Sequence, residues 1–79
     1  MRMKYIIAKG GIPVVFSELQ QHVDVAQALF TTIVGAGFCK INDNKEFVCY
    51  GESISLGIQS RLEVDSKIIN RSFGLVDPY

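Results

Sequence analysis

The chain has 79 residues, eight Lys/Arg against eight Asp/Glu, and 48% hydrophobic content. A chain this short builds one core, so residues 1–79 read as a single domain, and that apolar share excludes intrinsic disorder. Zero net charge without a run of like sign argues against duplex nucleic acid, which demands a dense positive surface. The apolar runs fall far short of the ~20 residues needed to cross a bilayer.

Residues 4–8 and 12–16 read as a β-hairpin turned at Gly10-Gly11, with Pro13 placing the second strand at a sheet edge. Ser17-Glu18-Leu19-Gln20 matches a capping box, and Leu19, Val23, Ala26 and Leu29/Phe30 follow at helical spacing. That predicts a helix over 18–30, with a break near His22–Asp24.

Three segments, 33–41, 46–50 and 53–59, then read as an antiparallel meander. A three-residue loop at Asp43-Asn44-Lys45 pairs Ile41 with Phe47 and Cys39 with Cys49. A two-residue loop would bring Ile41 against Glu46, and a one-residue slip turns every side chain over. A type II′ turn at Gly51-Glu52 would next pair Cys49 with Ile54 and Phe47 with Leu56. On this reading Ile33, Cys39, Ile41, Phe47, Cys49, Ile54, Leu56 and Ile58 share one face. Ser60-Arg61-Leu62-Glu63 is a second capping box, followed by Leu62, Ile69 and Phe73 on one arc with Ile68 beside them, and Gly74 as the stop. The predicted fold is α+β: an N-terminal β-hairpin, a helix, a three-stranded antiparallel meander and a C-terminal helix packed on the sheet in two layers.

Few motifs carry chemistry. Ile33-Val34-Gly35-Ala36-Gly37-Phe38 imitates the start of a dinucleotide-binding turn, but Lys40 stands where a third small residue is needed and the chain continues as strand. Glycines in a strand mark a bulge or a close backbone approach. Cys39 and Cys49 would lie side by side across two strands. With two cysteines and no export signal, the expected setting is a reducing cytoplasm, where they act as small buried hydrophobes. His22 has Glu18 and Asp24 nearby, a possible polar site at His22 and Asp24. The favoured reading is a surface pair or a helix-initiating turn rather than a general base, which would also need a nucleophile, a part for which nothing excludes Ser17, Ser53, Ser55 or either cysteine. No metal site and no cofactor is expected. Phe38, Val48 and Tyr50 alternate to the sheet face opposite the core set. With Glu52 at a hairpin tip and Tyr79 in the apolar tail, they are the candidate interaction residues.

His22-x-Asp24-Val25-Ala26, Ala36-Gly37-Phe38-Cys39, Gly51-Glu52-Ser53-x-Ser55-Leu56 and Ser60-Arg61 together resemble a pattern in small uncharacterised proteins of phages and prophages, over residues 14–71. The resemblance implies a compact cytoplasmic accessory protein acting on a host or phage macromolecule. It brings no activity, cofactor or catalytic residue. Leu62-Glu63-Val64 departs from it, where a more acidic or proline-initiated turn is expected.

The sequence therefore leads to a non-enzymatic protein-interaction module, an accessory or inhibitor of phage type, that meets a protein partner. Marginal size and unprotected strand edges add a homodimer through sheet edge or face. The alternative is a small enzyme or ligand binder using His22 with a nearby carboxylate or cysteine. Single-stranded nucleic acid stacked on Phe38 and Tyr50 is a third class, and the neutral charge weighs against it.

Overall fold

The computed structural model describes residues 2–73. Strands β1 (Arg2–Ala8) and β2 (Ile12–Ser17) form the first hairpin. Its connection is Lys9-Gly10-Gly11, and both glycines take the left-handed backbone that the turn requires, at φ 94° and 79°. Helix α1 (His22–Leu29) then crosses over β1 to deliver β3 (Ile33–Ile41), which pairs antiparallel with β1 on its other side. Strand β4 (Phe47–Tyr50) completes one antiparallel sheet in the order β2-β1-β3-β4. Helix α2 (Leu62–Ser72) packs on it. The α+β architecture with a C-terminal helix on the sheet is thus as the sequence predicts.

The central position of β1 explains its composition. Tyr5, Ile6, Ile7 and Ala8 are all buried, because a strand covered on both faces needs apolar residues at consecutive positions. Tyr5 and Ile7 join Cys39, Cys49 and Ile69 in a core on the α2 side. Ile6 joins Ala26 and Ala36 on the α1 side. The sheet therefore has cover on both faces rather than the two layers expected.

The 33–50 hairpin has the predicted register. Cys39 lies opposite Cys49 and Ile41 opposite Phe47. Lys45 supplies the left-handed loop residue at φ 65°, and Asn42 Oδ1 accepts from the backbone N–H groups of Asn44 and Glu46 at 2.9 and 3.0 Å.

The third meander strand is corrected. Residues 52–59 pair only with themselves, as a ribbon of β5 (Glu52–Ser53) and β6 (Ile58–Gln59). Gly51 at φ 75° turns the chain away from β4, and Gly57 at φ 68° folds it back with its N–H donated to Ser53 O at 2.8 Å. The Ser53 hydroxyl also accepts from the Leu56 N–H at 3.3 Å, so the local polar groups close a turn instead of feeding a ladder. Phe47 packs in the α2-side core, whereas Leu56 and Ile58 pack in the α1-side core. Ile54 is 88% exposed, so the single shared face does not exist.

Both capping boxes also differ from expectation. The Ser17 hydroxyl accepts from the Leu19 N–H at 3.1 Å, closing a turn over 17–20, and α1 starts only at His22. At α2 the Ser60 hydroxyl accepts from the Leu62 N–H and Asp65, not Glu63, reaches back to the Arg61 N–H. The predicted stop at Gly74 and the tail to Tyr79 lie outside the described residues.

Helix α2 also runs beside the outer edge of β4. Asn70 Oδ1 accepts from the Phe47 N–H at 2.7 Å while its Nδ2 donates to the Phe47 carbonyl at 3.0 Å. Ser66 Oγ accepts from the Cys49 N–H at 2.9 Å. Side chains of the helix thereby satisfy backbone groups that a further strand would otherwise take.

Candidate functional site

On the α1 side of the sheet, Phe38 and Tyr50 are cross-strand partners whose rings stack at 5.9 Å and 28°. Both are half-buried. The two strands place them on the face away from Cys39 and Cys49, as period-2 alternation requires. Cations frame the stack: Arg2 Cζ lies 4.5 Å from the Phe38 centroid and Lys40 Nζ 5.8 Å from that of Tyr50. Both fall within the range of cation–π attraction. Arg2 also donates through Nε to Glu18 Oε2 at 2.9 Å. Val48 sits opposite Lys40 and is half-buried, and Glu52 is exposed on the ribbon. The structure thus joins Phe38 and Tyr50 into a unit, with Val48 on a neighbouring position, and Glu52 stands beyond the Gly51 turn. Tyr79 lies outside the described residues.

The His22 pair is not assembled. The imidazole is buried, its Nε2 lies 2.8 Å from the Gly37 carbonyl, and Phe16 and Phe38 meet it edge-on at 5.6 and 5.9 Å. Burial holds its pKa below the usual histidine value, opposed by the bond to Gly37, with Lys4 lowering it further. Glu18 is committed to Arg2, and Asp24 is exposed. His22 pins the first turn of α1 to β3.

A buried polar chain, absent from the sequence reading, crosses the other face. Asp65 is fully buried and receives four donors: the Tyr5 hydroxyl at 2.6 Å, and the Arg61 backbone N–H, Nε and Nη2 at 2.9, 2.9 and 2.8 Å. The single phenol proton goes to the carboxylate, so the Tyr5 oxygen accepts from the Ser60 hydroxyl 2.7 Å away. Burial first, and then the bond to Asp65, push the Tyr5 pKa far upward. Gly35 makes room for this carboxylate, since a Cβ there would lie 2.8 Å from Asp65 Oδ1. Gly37 does the same for the start of the ribbon, where a Cβ would meet the Tyr50 carbonyl at 2.6 Å. The close approach expected of these strand glycines is present at both. A helical-wheel signal for Asp65 did exist: it lies four residues before the buried Ile69, on the inward arc of α2.

Cys39 and Cys49 are buried free thiols. Because the Cys49 N–H points outward to Ser66, the two form a non-hydrogen-bonded cross-strand pair, the closer of the two antiparallel geometries. Burial pushes their pKa values to about 12 and about 11. Among the described residues, no three His, Cys, Asp or Glu gather where they could hold a metal ion. No helix there is long and apolar enough to cross a membrane.

An open cleft runs between α1 and the ribbon, lined by Val23, Ala26, Gln27 and Phe30 on one side and Leu56 and Ile58 on the other. Phe30 is 94% exposed and occupies the left-handed region at φ 51° as the C-cap of α1.

No protein-family model, curated protein or solved structure matches this chain.

Proposed function

We propose that the chain is a non-enzymatic protein-interaction module, an accessory or inhibitory protein of a reducing cytoplasm, that presents the Phe38–Tyr50 face to a protein partner. The observation that carries this reading is the half-exposed aromatic stack flanked by Arg2 and Lys40. Aromatic residues and arginine dominate binding energy at interfaces, and a rim of charge sets orientation and partner choice. The inward polar groups, by contrast, are consumed by the fold: Asp65 by Tyr5 and Arg61, His22 by Gly37. The partner surface that fits is apolar with an acidic margin facing Lys40. Single-stranded nucleic acid also stacks on aromatics but needs a continuous positive groove. Here Glu18 neutralises Arg2, which favours protein.

The test is affinity capture from a lysate of the source cell with wild type, Lys40→Glu and Tyr50→Ser, followed by titration of the captured protein. Lys40 is exposed, so its reversal leaves the fold intact. Both variants should lose the same captured protein, Lys40→Glu by roughly tenfold or more in affinity. Capture that is indifferent to both changes would remove the face from consideration.

A further inference from the structure

We infer that Cys39 and Cys49 are a redox switch in the β3–β4 hairpin: free thiols under reducing conditions, joined by a reversible cross-strand disulfide when the surroundings turn oxidising. The two residues stand directly opposite each other, with Lys40–Val48 and Ile41–Phe47 paired on one side and Phe38–Tyr50 on the other. Register is therefore fixed around them, and a slip of one residue would send the two sulfurs to opposite faces. The Cys49 N–H is donated outward to Ser66 Oγ at 2.9 Å, which makes this a non-hydrogen-bonded pair, with Cα atoms about 4.5 Å apart. A disulfide spans Cα separations of about 4.4–6.8 Å, so the strands need move little to admit one. The chain has no other cysteine, so neither sulfur has a competing partner within it.

Both thiols are enclosed with Tyr5, Ile7 and Ile69. Enclosure slows attack from outside and shields the bond once it exists. The exchange therefore runs through opening of the margin where Ser66 and Asn70 hold β4, and the outer strand meets the oxidant first. The Cys49 thiolate attacks a small disulfide such as oxidised glutathione, forming a mixed disulfide and releasing one glutathione thiolate. The Cys39 thiolate then attacks the Cys49 sulfur; the Cys39–Cys49 bond forms and the second glutathione leaves. Two protons and two electrons pass from the cysteines to the small disulfide, which ends as two thiols. A pair at the short end of the allowed range strains the bond that joins it, and strain keeps that bond reducible. Phe38 and Tyr50 are the next residues along the same two strands, so the bond stiffens the hairpin that carries their stack.

The test opens reduced protein in urea, returns it to native buffer containing graded ratios of reduced to oxidised glutathione, then quenches with acid, alkylates and weighs it. A parallel titration stays in urea throughout. The equilibrium constant for the internal disulfide should be roughly tenfold or more larger in native buffer, because the fold holds the sulfurs together. By linkage, oxidised protein should melt about 4 °C or more above reduced protein. Hydrogen exchange at the Lys40 and Val48 amides, which face each other across the ladder, should slow roughly tenfold on oxidation. Cys49→Ala should show the same exchange in both buffers. A ratio of constants near one or below means that the native strands oppose the bond and overturns the inference. Glutathione retained on single cysteines in place of the internal bond, or exchange unmoved by oxidation, overturns it as well.

Discussion

A carboxylate withdrawn from water is tolerable only when donors replace its hydration, and Asp65 is surrounded by four from Tyr5 and Arg61. The pair reaches from the middle of β1 to the first turn of α2, so its removal touches both. Asp65→Ala leaves the Tyr5 phenol without its acceptor and should cost roughly 3 kcal/mol, read from urea unfolding. A variant within 0.5 kcal/mol of wild type, on the order of a neutral surface change, would contradict that account. His22 gives a pH signature. Its folded-state pKa is lowered, chiefly by burial, so below the ordinary value of 6.5 the unfolded chain takes up a proton that the folded chain resists. This group leaves stability unaffected above pH 6.5 and reduces it as pH falls from there toward the folded value, by at most about 1.4 kcal/mol per pH unit. The urea midpoint measured downward from neutrality should decline in wild type and do so less in His22→Gln. The thiols of Cys39 and Cys49, raised to about 12 and about 11, stay protonated and enclosed at neutral pH. A thiol-specific disulfide reagent should therefore find neither in the native protein and both in urea.

At the level of elements, the hairpin from Ile33 to Tyr50 was readable because two independent constraints agree: loop length and apolar alternation select the same register. The ribbon was not readable for the same reason in reverse. Alternation at Ile54, Leu56 and Ile58 satisfies a strand, yet it fits equally a turn whose apolar residues divide between solvent and a different core. The positive φ of Gly51 and Gly57 decided between them, and a glycine's φ sign is invisible in sequence. The aromatic face is legible from alternation alone; Phe30 reads as the last residue of the helix and stands one beyond it, as the C-cap, because periodicity does not announce where a helix ends. Nor does spacing disclose that Asn70 reads the backbone of β4. Asn70→Ala removes both bonds to Phe47 and leaves those groups facing outward. It should cost about 2 kcal/mol and make aggregation steeply dependent on concentration, measured by light scattering of the variant at matched stability. Unchanged scattering would show that the edge needs no such cover.

For the whole molecule, cover on both faces of the sheet changes where contact surfaces remain. The α2 face is filled by Tyr5, Ile7, Cys39, Cys49 and Ile69, and α2 also flanks β4. The face toward α1 is only partly covered, and it carries both the Phe38–Tyr50 stack and the cleft beside Phe30. The face proposed for a protein partner and the cleft thus occupy separate portions of one side. A Phe30→Gly variant should therefore keep the protein partner that a Lys40→Glu variant is expected to lose in affinity capture.

The way Asn70 and Ser66 occupy the margin of β4 also limits what strand pairing can build. A fibre propagates only if every subunit offers two attachment points, one to receive and one to extend. With β4 occupied, the margin of the sheet that no other strand pairs with among the described residues is β2, where Pro13 lacks an N–H to donate. Any joining of sheets there ends as soon as two subunits have met, so α2 works as a chain terminator against open-ended growth.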